Sequence, residues 1–407
     1  MGSSLNRVKR LLITWELGAN YGHLSRLILV ADAQRALGRE MLFVVCDLDA
    51  AQKLLAPQGY AYVAAPRLKC KPSNELMLSY VQLLLAVGYA DQLALQVALG
   101  NWLHLFNEYQ PDLIIADHSP TALLANHITK IPAIQLGSGF EIPPLDHWPE
   151  MLPFNSQQKL QLQDSEQQLL VNMNRALIVH GGLAMQSVTE LFKNCHQLLT
   201  TFAELDHYPY RNHMNYIGPI YSVSSGSEIL WTDTLQKKVF AYVWSGLPGL
   251  NHLMLALAEL DIEVIAVIPE LSNEALLLFS QPNIRIYRET INLSALLDNA
   301  DLLITHSGFG TVSAFLKQGV PVMIIPDTLE QFLVGQNVEV LGVGLVMGSR
   351  RSQDSFKQTI SQLLHLGLNT LSSFQEAASQ FAARYRNCDQ VIPIQAVTLA
   401  IHNTLNE

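Results

Sequence analysis

The residues best suited to chemistry cluster in Asp301 to Gln331, reading DLLITHSGFGTVSAFLKQGVPVMIIPDTLEQ. An apolar run, Leu302 to Thr305, ends in His306, Ser307, Gly308, Phe309 and Gly310. A helical segment follows, Gly319 stops it, and a second apolar run from Val320 ends at Pro326 and Asp327. The order is strand, Gly-rich turn, helix, strand. Such a turn aims free backbone N–H groups and the positive end of a helix dipole at one place, where a phosphate can sit. His306 is expected to add a side-chain donor at the same rim. A second group lies near the N-terminus. Gly22-His23 stands at the mouth of the first βα turn, and Asp117 closes the run PDLIIAD. Both positions fall at the C-terminal ends of parallel strands, where open α/β sheets place ligands. A neutral imidazole there has a suitable pKa to accept a proton near pH 7.

The elements that must hold these residues follow from periodicity. Arg10 to Thr14 reads as a first strand, WELGANYG as its loop, and His23 to Leu37 as a helix with apolar positions at helical spacing. Met41 to Cys46 is the next strand, which completes a βαβ unit. Residues 68 to 109 are expected to be helical, and strands are expected at Leu113 to Ala116 and Ile131 to Leu136. Tyr216 to Asp233, with Gly218-Pro219 and a Ser/Gly cluster, reads as a linker. The alternation then restarts with strands at Val239 to Trp244, Glu263 to Ile268, Asn283 to Tyr287, Leu302 to Thr305 and Val322 to Ile325. Two α/β domains joined near residue 220 are therefore expected.

Composition bounds the class. The chain has 407 residues, enough for two domains of ordinary size, and 49% are hydrophobic against 15% charged. Mean hydropathy is slightly positive, yet no apolar run reaches the ~18 residues of a membrane span. The apolar run after Arg10 is too short for a secretory signal. A net charge of -10 without a basic block argues against nucleic acid as a partner. Four cysteines, Cys46, Cys70, Cys195 and Cys388, lie far apart with no CxxC spacing. That pattern points to a reduced, cytoplasmic protein without a structural zinc site.

The segment from His306 to Gln331 resembles the donor-site signature of the nucleotide-sugar-dependent glycosyltransferases of the GT-B fold, in the branch related to UDP-glucuronosyl- and UDP-glucosyltransferases. His306, Gly308, Thr311, Gly319-Val320-Pro321, Pro326 and Glu330-Gln331 stand in register with it. The resemblance implies two Rossmann-like domains facing each other across a cleft: an acceptor-side domain over 1–220 and a donor-binding domain over 221–384, with a last helix at 385–407 crossing back to the first. It implies inverting, metal-independent transfer of a sugar from a UDP- or dTDP-sugar to the hydroxyl of a small or lipid-like acceptor, with no further cofactor. Peripheral membrane contact is compatible with such an acceptor. His23 matches the family's catalytic base and Asp117 the carboxylate that orients it; His118 competes for the first role. His306, Ser307, Gly308, Gly310 and Thr311 match the diphosphate-binding turn. Ser245-Gly246 matches a second phosphate-facing loop, and Glu330-Gln331 the pair that binds sugar hydroxyls. Ala314 departs from the glutamate that many members place on the ribose, which leaves the base of the nucleotide open.

Two other readings stand beside this one. Gly308-x-Gly310 with Asp327 about twenty residues on has the outline of a dinucleotide fingerprint, though its third glycine is Ser313. A catalytically silent GT-B protein that binds a glycan or a partner is the other. Asp47-Leu48-Asp49 spells a metal-binding DxD but simply follows the second strand, and His180-Gly181-Gly182 lacks a matching downstream pattern.

Overall fold

The computed structural model describes residues 7–18, 21–69, 77–145, 151–152, 154–208, 211, 215–224, 226–232, 236–306, 308–367, 372–387 and 391–406. The chain divides into two compact units. One comprises Met1–Phe202, Asp206–Ile220 and Gln390–Glu407; the other comprises Ala203–Leu205 and Tyr221–Asp389.

The first unit holds strands β1 (Arg10–Trp15), β2 (Glu40–Val45), β3 (Ala61–Ala64), β4 (Leu113–Asp117), β5 (Ala133–Gly137) and β6 (His196–Leu199). They form a sheet in the order β3-β2-β1-β4-β5-β6, parallel throughout. The chain winds outward from β1 to β3, then crosses over and winds the other way from β4. The crevice of such a sheet therefore opens between β1 and β4. All five residues of β4 are buried, as expected of a central parallel strand covered on both faces. Its register with β1 sets Trp15 level with Asp117. The helix Val391–Thr404 belongs to this unit: Val397 and Ile401 join its core, and Gln34 Nε2 donates to Thr398 Oγ1 at 3.0 Å.

The second unit holds β7 (Ser227–Glu228), β8 (Lys237–Tyr242), β9 (Ile262–Val267), β10 (Ile284–Tyr287), β11 (Ile291–Asn292), β12 (Leu302–Thr305), β13 (Val322–Ile324) and β14 (Gly344–Val346). Its main sheet runs β10-β9-β8-β12-β13-β14, while β7 and β11 make a small separate ladder. The same winding repeats, with the reversal between β8 and β12. Each unit is thus a Rossmann-like doubly wound sheet, as expected from the sequence.

One expectation fails. Residues 68 to 109 are not one continuous helix: Tyr80–Leu84 runs on into a π-wound turn over Leu85–Tyr89, and the helix Gln92–Tyr109 then leaves at 87°. Gly88, at φ 123°, makes the break, and Asp91 then caps the second helix by accepting from Ala94 N. A left-handed glycine followed by an N-cap aspartate is a stop–start signal that the leucine periodicity masks. Residues 70–76 lie outside the described residues. The short strands β3, β6 and β14 also escaped the periodicity, which is weak over three or four residues. Asp47 of the DxD caps the helix Leu48–Leu54 by accepting from Ala50 N at 2.9 Å, and His180 Nε2 donates to the Gln96 carbonyl at 2.9 Å. Both therefore have structural partners.

Candidate functional site

In the first unit His23 lies in the opening turn of the helix Gly22–Arg35, directly after the β1 loop. Its Nδ1 is 2.9 Å from Oδ1 of Asp117, the last residue of β4. The two strands that flank the reversal of the sheet thus bring together residues 94 positions apart. Asp117 is fully buried, and its second oxygen, Oδ2, accepts from Arg26 Nη2 at 2.6 Å and Nε at 3.2 Å. Arg26 also donates from Nη1 to Thr200 Oγ1 at 3.1 Å. The His23 ring stacks on Trp15 at 5.4 Å with 20° between planes, and its side chain remains 20% exposed.

With Nδ1 engaged by the carboxylate, Nε2 is the nitrogen left to accept a proton; this tautomer is assigned from the hydrogen bond. The space beside Nε2 depends on Gly18. A Cβ there would fall 2.5 Å from Nε2, and Gly18 has φ 100°, a conformation side chains disfavour. Burial pulls the His23 pKa down, but the charge and hydrogen bond of Asp117 outweigh it, and the net shift is upward from 6.5. Burial would raise the Asp117 pKa, yet Arg26 and His23 hold it at about 2. The carboxylate is therefore ionised throughout the working range.

The competing residue, His118, stands in a different environment. It adopts φ 46°, is 6% exposed, and its Nε2 is buried without a partner among the described residues. Burial pushes its pKa down to about 4, so it is a weak base. Its ring lies 6.2 Å from that of His23. Glu16, in the same loop as Gly18, caps the helix Pro120–Thr129 from a distance by accepting Thr121 N at 2.8 Å and the Thr121 hydroxyl. Its burial lifts its pKa to about 7.

In the second unit the helices that follow β8 and β12 begin at glycines, Gly249 and Gly308, neither of which supplies a side-chain cap. Their first-turn N–H groups are left to other partners, the condition for anion binding at a helix start. Gly308 has φ -62°, and a Cβ there would meet only Thr311 Oγ1 at 3.7 Å. A Cβ at Gly310 would meet Tyr221 at 3.1 Å. Ser307 lies outside the described residues.

Three donor-side residues have settings that the motif alone does not show. His306 is buried at its strand end: it is 7% exposed, its ring lies 5.3 Å from that of Tyr242, and Nδ1 has no partner among the described residues. Burial lowers its pKa against the opposing bond to the Tyr242 backbone. A neutral imidazole carries one N–H, which that bond takes, so Nδ1 is an acceptor until the ring is protonated. Gln331 is committed to its own turn. Its Oε1 accepts from Asp327 N at 2.8 Å and Thr328 N at 3.3 Å, while its backbone N–H donates to Thr328 Oγ1, a capping box for the helix Leu329–Val340. Only its amide nitrogen is left to meet a ligand. Glu330 lies beside it in the first turn. Ser245 and Gly246 line a pocket of 380 Å³ with Glu270 and Ser272, whose lining does not include His306, Gly308 or Thr311. Gly246 also has a packing reason, since a Cβ would fall 2.2 Å from the Trp244 ring. Ala314 is 1% exposed, on the packed side of its helix.

Sequence reasoning missed Arg26, Thr200 and Gly18. Arg26 had a signal, because three residues past His23 on a helix is the neighbouring position on the same face.

Residues 251–387 match the domain family described as "Erythromycin biosynthesis protein CIII-like, C-terminal domain". The chain is similar to an aclacinomycin-T 2-deoxy-L-fucose transferase of Streptomyces galilaeus, 34% identical over 100 residues, which is 24% of this chain and 22% of the relative. It is similar to the NDP-glycosyltransferase YjiC of Bacillus subtilis (strain 168), 30% identical over 93 residues, 23% of this chain and 22% of the relative. The matched stretches thus span about a fifth of these relatives' lengths. The structure of the glycosyltransferase VinC, solved with dTDP, superposes with a TM-score of 0.70 at 19% identity over 98% of this chain and 99% of that one. The pair Gly308-x-Gly310, open on sequence to a dinucleotide reading, falls inside the matched domain. Residues 251–387 thus fall in that domain family, and the fold of the chain is similar to that of the GT-B glycosyltransferases.

Proposed function

We propose that the protein transfers a sugar, with inversion and without a metal, from a UDP- or dTDP-sugar to a hydroxyl of a small or lipid-like acceptor. His23 Nε2 takes the proton of the acceptor hydroxyl as its oxygen bonds to the anomeric carbon. The bond from that carbon to the diphosphate breaks, and the electron pair leaves with the diphosphate. Asp117 fixes the His23 tautomer and stabilises the imidazolium that forms. The uncapped helix start at Gly308 supplies backbone donors to the leaving diphosphate. The observation that carries this reading is the 2.9 Å His23–Asp117 pair, with Nε2 beside Gly18 and unpartnered among the described residues.

The test is incubation of the purified protein with UDP- and dTDP-sugars and a panel of hydroxyl-bearing apolar acceptors, with products read by mass and anomeric NMR. The expected outcome is a glycoside of inverted configuration, formed equally in the presence of EDTA. His23→Ala should lower the rate by about 10²–10⁴-fold, the usual contribution of a general base. Retained configuration, or transfer undiminished in His23→Ala, would sink the mechanism. A binding protein without turnover is the second reading, favoured by the Gln331 oxygen being committed to its turn. It predicts nucleotide-sugar binding with no product from any acceptor.

A further inference from the structure

We propose that Arg26 is a positioning residue for the reaction, setting both the placement of Asp117 and the basicity of His23. The inference rests on His23 acting as base, but its first test, a titration, does not need turnover. Arg26 is joined to three strand ends of the first unit. It grips Asp117 Oδ2 at the end of β4 with two nitrogens, reaches Thr200 just past β6, and lies 3.9 Å from Glu141 Oε1 on the loop after β5. By holding Oδ2 it leaves Oδ1 aimed at His23. Its Nη2 is also 3.5 Å from His23 Nδ1. A guanidinium at that distance from an imidazole resists protonation of the ring.

The charged and titratable groups around His23 are few. Asp117 and His118 come from the end of β4, Glu141 from the loop after β5, and Arg26 from the same helix. Two carboxylates favour the imidazolium and one guanidinium opposes it. Without Arg26 the buried cluster would carry uncompensated negative charge, and His23 would stay protonated to higher pH. A protonated base cannot accept the acceptor's proton. Arg26 thus keeps the carboxylate ionised without letting it trap His23 in the charged form.

The experiment is titration of the His23 imidazole by NMR in the full chain, its signal identified by loss in His23→Ala, for Arg26→Gln and Arg26→Lys. Arg26→Gln should raise the His23 midpoint by about one pH unit, since a neighbouring charge shifts a pKa on that scale. Arg26→Lys keeps the charge and should leave the midpoint within about 0.3 units while loosening the grip on Asp117. Where transfer is measurable, kcat should fall about tenfold in Arg26→Lys with acceptor KM unchanged, the pattern of a lost transition-state interaction. Removing one partner of a buried pair is costly, so Thr200→Val serves if Arg26→Gln does not fold. It frees Nη1 only and should lower kcat without moving the midpoint. An unshifted His23 midpoint in Arg26→Gln, equal shifts in Gln and Lys, or full kcat in Thr200→Val would overturn the proposal.

Discussion

His23 and Asp117 are each ordinary residue types, and their chemistry comes from what surrounds them. The working form of a base is the neutral one. Because Asp117 raises the His23 pKa above 6.5, activity should climb with pH through a midpoint above that value. Asp117→Asn keeps the shape but removes the charge, so burial and Arg26 then dominate. The acid limb should move below 6.5 and kcat should drop, which a pH–rate profile of both proteins would show. The linked stability has its own sign. Asp117 has a depressed pKa, so its stabilising contribution is fully present above 3.8 and is lost as pH falls through about 2. A variant whose acid limb does not move would separate His23 from the observed ionisation.

At the scale of elements, the two sheet reversals matter most. The helices after β1, β8 and β12 start without a side-chain cap, and the helix after β4 takes its cap from Glu16. Elsewhere Asp47, Asp91, Asn155, Ser272, Thr328, Ser352 and Ser372 cap their own helices. Among the described α-helices longer than four residues with a described N-cap, the open starts thus fall after strands beside the sheet reversals, where doubly wound sheets bind ligands. Gly308→Ala tests this at one of them. Its backbone is unstrained and a Cβ has room, so unfolding in urea should shift by less than about 0.5 kcal/mol. A phosphate approaching the N–H groups would still meet the methyl, so nucleotide affinity should fall by about tenfold or more, equivalent to ~1.4 kcal/mol. Unchanged affinity would mean that this turn does not hold the nucleotide.

For the whole molecule, the winding was legible because each long strand is a buried apolar run closed by a turn signal. PDLIIAD and DLLITHSG both show this, and they place Asp117 and His306 at strand ends without any structure. What escaped depended on contacts between distant segments. Nothing local to Arg26 marks it as a partner of Thr200, 174 residues away. Gln331, by contrast, carries a local signal, since Thr328 three residues earlier completes the T-x-x-Q of a capping box, which the sugar-binding reading passes over. The burial of His306 against Tyr242 follows from the pairing of β8 with β12, a choice made by the sheet as a whole.

The central claim is that this chain uses a nucleoside diphosphate sugar, and direct calorimetric titration with dTDP and UDP tests it without knowledge of the acceptor. Saturable binding of at least one, weakened in Gly308→Ala, is the predicted result. Failure of both nucleotides to bind the folded protein at millimolar concentration would contradict it.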